Sequence, residues 1–251
     1  TLAALNGTGN AYSITIDDAS VDAAALNTLD AKTTVAIDAA AVTTLAGAAI
    51  DLDNAFSSAG ITGLGNEAVT LSDTSLNAAV LNTLDDKTTG IIDAGSITTL
   101  TGEASELNTA FDSSGISNLD DVNVTVDIGT ATTAQANDLA DETSGIVTAT
   151  IAEGDLATLA GLTGTGNAYS ITIDDAAVDA AALNTLDGKT TVAIDAAAVT
   201  TLTGLATDLI EAVTSNGITG LGDEAITVDS GTATTAQANA LADETSGIVT
   251  A

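Results

Sequence analysis

The sequence predicts an α/β repeat solenoid, elongated, with parallel strands on one side and short helices on the other, at about 21–34 residues per coil. Three observations predict it. Sliding the chain by 157 positions aligns residues 1–71 with 158–228 without a gap, and 56 of the 71 are identical. An offset of 102 aligns 126–149 with 228–251 at 22 of 24 positions, and an offset of 55 aligns 14–34 with 69–89 at 13 of 21. Within each repeat a short β-branched run is followed by a helix-compatible run. A strand–helix unit of this length cannot bury its own apolar face, but stacked on copies of itself it builds a continuous core.

The elements follow in order. Ile14-Thr15-Ile16 alternates like a strand and is closed by Asp17-Asp18. Ser20 to Leu29 reads as a helix with Val21, Ala25, Leu26 and Leu29 on one stripe. Asp and Ser at its start suit the free N–H groups and the positive end of the helix dipole. A polar turn spans Asp30 to Thr34, Val35 to Asp38 forms the second strand, and Ala39 to Leu45 reads as helix again. Equivalent strands start near Val69, Ile91, Val124, Ile146, Ile171, Val192, Ile226 and Ile248. Gly60, Gly115, Gly145, Gly217 and Gly247 stand just before strands, where a reversal calls for positive φ. Right-handed crossovers make the strands parallel at about 4.8 Å spacing, so about ten coils span roughly 50 Å.

The whole chain, 1–251, reads as one continuous array with units 14–68, 69–123, 124–170 and 171–225, a partial unit 226–251, and 1–13 as the end of a preceding unit. Both ends fall within the repeat phase, which predicts a piece of a longer array or a subunit joined end to end. Thr1 is then an internal cut or a processed end.

Composition narrows the function. Thirty-five Asp and Glu face three Lys and no Arg, a formal net charge of −32, and His, Cys, Pro, Met and Trp are all missing. There is no imidazole base, no thiolate, no N/S zinc site and no disulfide. Nothing can neutralise a row of phosphates, which excludes nucleic acid, and an acidic membrane surface repels the chain. No apolar run approaches a membrane span. At 45% apolar and 15% charged residues the chain is nevertheless a folding one rather than a disordered one. Its core is built from Ala, Val, Ile and Leu, since only two Phe and two Tyr are present.

The segments AAALNTLDAKTTVAIDAAAVTTLAG, SAGITGLGNEAVTLSD and TATTAQANDLADETSGIVTATIAEGD resemble the repeat arrays of giant cell-surface proteins of marine cyanobacteria. That class includes the very large surface protein needed for non-flagellar swimming. The resemblance covers essentially the whole chain and implies an extracellular, surface-attached, fibrous or adhesive role in calcium-rich seawater. It carries no catalytic residues. The GGxGxD calcium nonapeptide found in some of these proteins is absent here.

Candidate sites follow the repeat phase. Asp17, Asp38, Asp93, Asp127, Asp174, Asp195 and Asp229 recur just after strands and in a solenoid would stack as a column. Carboxylates about 5 Å apart repel by roughly 0.8 kcal/mol even in water, so such a column invites calcium, which takes six to eight oxygens. The alternative is that they serve as caps, turn residues and solvated acids. Asp51-Leu-Asp53 opens like an EF-hand, but Phe56 holds the glycine position and no Glu closes the loop. The acid pairs Asp17/Asp18, Asp85/Asp86 and Asp141/Glu142 repeat with the scaffold and lack the aromatic cleft of a glycosidase. Thr15, Thr70, Thr125, Thr172 and Thr227 lie mid-strand, as in an ice-binding ladder, though Ala36, Ile92 and Ala193 interrupt it. Asn6-Gly7-Thr8 and Asn123-Val124-Thr125 match the N-glycosylation pattern. The expected function is a non-enzymatic structural module of a large extracellular filament, coat or adhesin. It would partner copies of itself, end to end or laterally, and cell-surface polysaccharide. The alternatives are a calcium-dependent adhesion module and, more weakly, an ice-binding surface.

Overall fold

The computed structural model describes residues 5–229 and 232–251. The chain divides into two compact units, Thr1–Val124 and Thr125–Ala251. In the first, the elements run β1 (Ser20–Asp22), α1 (Ala23–Asp30), β2 (Ile37–Asp38), β3 (Thr44–Gly47), α2 (Ala49–Ser57), β4 (Ile61–Thr62), β5 (Ala68–Leu71), β6 (Ser75–Asn77), α3 (Ala78–Asp85), β7 (Ile92–Asp93), β8 (Thr99–Glu103), α4 (Ala104–Asp112) and β9 (Ile116–Ser117). The strand β10 (Asn123–Ile128) runs across the boundary. The second unit continues with α5 (Thr133–Glu142), β11 (Val147–Thr150), α6 (Leu156–Leu159), β12 (Ala168–Ser170), β13 (Ala177–Asp179), α7 (Ala180–Asp187), β14 (Ile194–Asp195), β15 (Thr201–Gly204), α8 (Ala206–Thr214), β16 (Ile218–Thr219), β17 (Ala225–Val228), α9 (Thr235–Glu244) and β18 (Val249–Thr250).

Strands and short helices alternate regularly, and the strands pair in parallel. The first unit has a sheet in the order β1-β3-β5-β7-β9, with β2 beside β4 and β6 beside β8. The second pairs β11 with β12 and β14 with β16, and orders β13-β15-β17-β18. The step is nearly constant. Ser20 lies beside Thr44 and Thr44 beside Ala68, an advance of 24 residues each time, as from Ala177 to Thr201 to Ala225. Val69 beside Ile92 and Ile226 beside Val249 advance by 23.

Two assignments from sequence are corrected. Ala39 to Leu45 is not helical: the chain turns at Ala40-Ala41 and enters β3 at Thr44. The Asp38 carboxylate accepts the Ala40 N–H at 3.1 Å and pins that turn, and the β-branched Val42-Thr43-Thr44 run suits an extended chain. The second helix of the unit lies further on, at Ala49–Ser57, where Ala49, Leu52 and Ala55 are buried. In the first helix the buried stripe is Ala23, Leu26 and Leu29, while Ala25 is exposed and Val21 sits half-buried in β1. The same i, i+3, i+6 stripe recurs as Ala78/Leu81/Leu84, Ala104/Leu107/Ala110, Ala180/Leu183/Leu186 and Ala206/Leu209/Ala212. Each fully buried Leu contributes about 1.5–3 kcal/mol of transfer free energy. These leucines meet strand leucines and isoleucines such as Leu45, Ile92, Leu100 and Leu202, all sealed from solvent.

The glycines before strands are also explained differently. Gly60, Gly115, Gly217 and Gly247 do not adopt positive φ. They are required for space: a Cβ on Gly60 would sit 2.0 Å from the Asp30 carboxylate, and one on Gly217 2.0 Å from that of Asp187. Positive φ belongs instead to the following turn, where Gly63 (φ 89°) and Gly220 (φ 85°) also press against the backbone of Ala40 and Ala197.

Candidate functional site

The repeated polar positions were built up residue by residue. Of the seven strand-end aspartates, Asp17, Asp38, Asp127, Asp174, Asp195 and Asp229 are exposed and Asp93 is half-buried. The pairing register does not stack them as a column. Asp38 lies between Thr15 and Thr62, Asp93 between Thr70 and Ser117, and Asp195 between Thr172 and Thr219. The reason is the coil step: the sequence unit of 55 residues spans two helix-bearing coils, so equivalent aspartates are not lateral neighbours. Among the described residues, no three Asp or Glu come together as a metal would need. The threonine ladder is interrupted by the same register, since the lateral partners of Thr15, Thr70 and Thr172 are aspartates. Thr125 lies in β10, and Thr227 lies beside Thr250.

The acids are occupied in holding turns and helix ends. Asp38, Asp93 and Asp195 accept the N–H two residues on, at 3.0–3.1 Å. Asp93 also accepts Asn118 Nδ2 at 2.7 Å, and these bonds hold its carboxyl below the usual carboxylate range, the Asn118 bond most of all. The backbone N–H groups of Asp174 and Asp229 donate to Gly154 and Gly204 carbonyls. Asp22, Asp155 and Asp179 cap helices by accepting the amides of Ala25, Thr158 and Ala182. Three acids cap helices of a neighbouring coil: Asp73 accepts the Ala49 N–H at 2.7 Å, Glu153 that of Thr133 at 2.9 Å and Asp175 that of Leu156 at 2.6 Å. Asp51 and Asp53 lie in α2, and Asp53 pairs with Lys87 at 2.6 Å. In the pair Asp85/Asp86, Asp85 accepts Ser113 Oγ at 2.6 Å while Asp86 is the C-cap of α3. Ser58 on Asp30 and Ser215 on Asp187 repeat that Asp85 bond.

Sequence reasoning missed the residues that tie coil to coil. Asn27, Asn82 and Asn184 each donate Nδ2 to a helix carbonyl 24 residues on, at Asp51, Glu106 and Asp208, over 2.8–3.0 Å. Asn137 does the same to Gly161. The shared ALNTL wording of the first three was the available signal. Thr33, Thr88, Thr190 and Thr245 each donate Oγ1 to a carbonyl 21 residues back, on Tyr12, Glu67, Tyr169 and Glu224, at 2.7–2.8 Å. Glu67 and Glu224 are completely buried, and the sequence words GLGNE and GLGDE were the only hint. Glu67 Oε2 accepts the N–H of Gly65 at 2.7 Å and of Asn66 at 3.1 Å, while its Oε1 has no partner. Nucleophile–base geometry of the catalytic kind does not arise from these contacts, since each polar group here faces backbone.

Compared with protein-family models, curated proteins and solved structures, the chain matches none. No helix among the described residues is long and apolar enough to cross a membrane.

Proposed function

We propose that this chain is a non-catalytic structural module: a stretch of solenoid belonging to a large extracellular filament, cell-surface coat or adhesin. One observation carries the reading. The same polar side chains recur at the same phase of the repeat, and each is spent on the backbone of a neighbouring coil, as with Asn27, Asn82 and Asn184. An active site is a local departure from a scaffold, whereas here the polar chemistry is the scaffold. Stability then comes as a sum over coils and their interfaces, which lets an array grow without redesign. The surface acids supply solubility and repulsion of other anionic surfaces. The resemblance to cyanobacterial surface arrays supports the extracellular setting, and copies of the chain are its first partners.

Small-angle scattering of the purified chain tests the architecture. The expected result is a cross-section of constant radius, and the profile of a compact sphere would defeat the reading. Immunolabelling of intact source cells tests the location, with staining only after permeabilisation as the contrary outcome.

A further inference from the structure

Within the first unit a groove of about 490 Å³ opens between α2 and α3, lined by Ala49, Ile50, Leu76, Val80, Asp53 and Asp73 among others. Its apolar wall is exposed: Ile50 is 65% and Val80 42% accessible. The repeat provides its own comparison. Where this site has Ile50, the equivalent coils have Ser105 and Thr207; where it has Val80, they have Ala25 and Ala182; where it has Leu76, they have Val21 and Val178. Three positions are thus larger and more apolar here than the scaffold requires. The scaffold folds equally with the smaller set, so the enlargement is not explained by the core. Exposed apolar surface of this kind, bordered by polar groups, marks an interaction site.

The border decides what fits. Two carboxylates, Asp53 and Asp73, line the groove, and the cation seen pairing there is Lys87 on Asp53. Another copy of this chain would bring 35 acids and three lysines to an acidic rim. A cationic partner meets opposite charge at the rim and apolar surface in the floor. We propose that this groove docks a cationic amphipathic segment of another protein, with its aliphatic side chains against Ile50, Leu76 and Val80 and its Lys or Arg groups against Asp53 and Asp73. A helix with aliphatic residues at i, i+3, i+4 and i+7 presents that pattern. The inference stands apart from the structural role proposed above and survives or fails without it.

The test is fluorescence anisotropy of a labelled Leu/Lys amphipathic peptide of about 18 residues, titrated with the full chain. A scrambled peptide of the same composition is the control. Any cationic peptide feels a charge of −32, so the deciding comparison leaves charge untouched: the double variant Ile50→Thr, Val80→Ala, which installs residues already used at the equivalent positions. We expect that variant to bind at least about tenfold more weakly. Asp73→Asn keeps an oxygen for the Ala49 N–H and should weaken binding about threefold; raising salt to about 0.5 M should weaken it further. Equal affinity of parent and double variant, equal affinity for the scrambled peptide, or no binding at all would overturn the proposal. So would sedimentation showing that the chain self-associates through the groove, with the double variant dispersing it.

Discussion

Tyr169 and Glu67 occupy the same position of successive repeats, together with Tyr12, Val122 and Glu224, and the contrast among them shows what this coil demands. In each coil with a bond recorded at this position, the residue offers its carbonyl to a threonine hydroxyl 21 residues later. The side chains then diverge. Tyr169 is completely buried and its hydroxyl donates to the Ala136 carbonyl at 3.2 Å. Glu67 is just as buried but folds back on the amides of its own turn. Val122 fills the place with hydrocarbon alone. What the coil fixes is the backbone frame and its threonine, and the buried side chain is free to vary so long as it fills space.

Four predictions strain that comparison. Tyr169→Ala should cost about 3–5 kcal/mol in urea unfolding, because it removes a whole buried ring; a loss under about 1 kcal/mol would show that the cavity collapses and that the position is not a packing anchor. Thr190→Val keeps the shape but deprives the Tyr169 carbonyl and the amides of Tyr169 and Val192 of their partner, and should cost about 1–3 kcal/mol. If Thr190→Val were neutral, the shared frame would not be the element that matters. The third prediction concerns alkali. Burial pushes the Tyr169 hydroxyl up from 10.0 to about 12, helped by the nearby Asp141 carboxylate and opposed by Asn167. A raised pKa means that the folded state holds the proton more tightly. The resulting stability is present below pH 10 and is lost as pH rises from 10 towards 12. Tyr169→Phe should remove that alkaline slope in pH-dependent melting. The smallest effect is expected for Glu67→Val, which copies Val122. Replacing a buried carboxyl by hydrocarbon is often neutral or stabilising, and the two amides it releases are only half-buried or exposed. A change within about 1 kcal/mol is expected, and a larger loss would make the Glu67 carboxyl a structural requirement.

The alternation of strand and helix was readable because β-branched triplets and Ala/Leu stripes differ in period. The strands at Val69 and Ile226 begin where the apolar alternation begins, within a residue. The coil step was not readable. Sequence identity reports a unit of 55, while lateral pairing advances by 23 or 24, and only pairing shows which residues are neighbours. That is why an aspartate column looked reasonable and why Asp38 instead stands between two threonines. Ala39 to Leu45 misled for a local reason: alanines favour helix, but one aspartate bond to Ala40 sets a turn. The asparagine ties were invisible as function because a lone Asn in a helix carries no signal until its partner coil is known.

The three lysines share one place, just past the helices α1, α3 and α7, at Lys32, Lys87 and Lys189. With no arginine in the chain, trypsin has only these three bonds to cut, and all three are half-buried in turns where a helix hands over to the next strand. Digestion therefore works as a coil-by-coil reporter. A cut after Lys32, Lys87 or Lys189 names the turn that opened, and the ion pair to Asp53 should make Lys87 the slowest of the three.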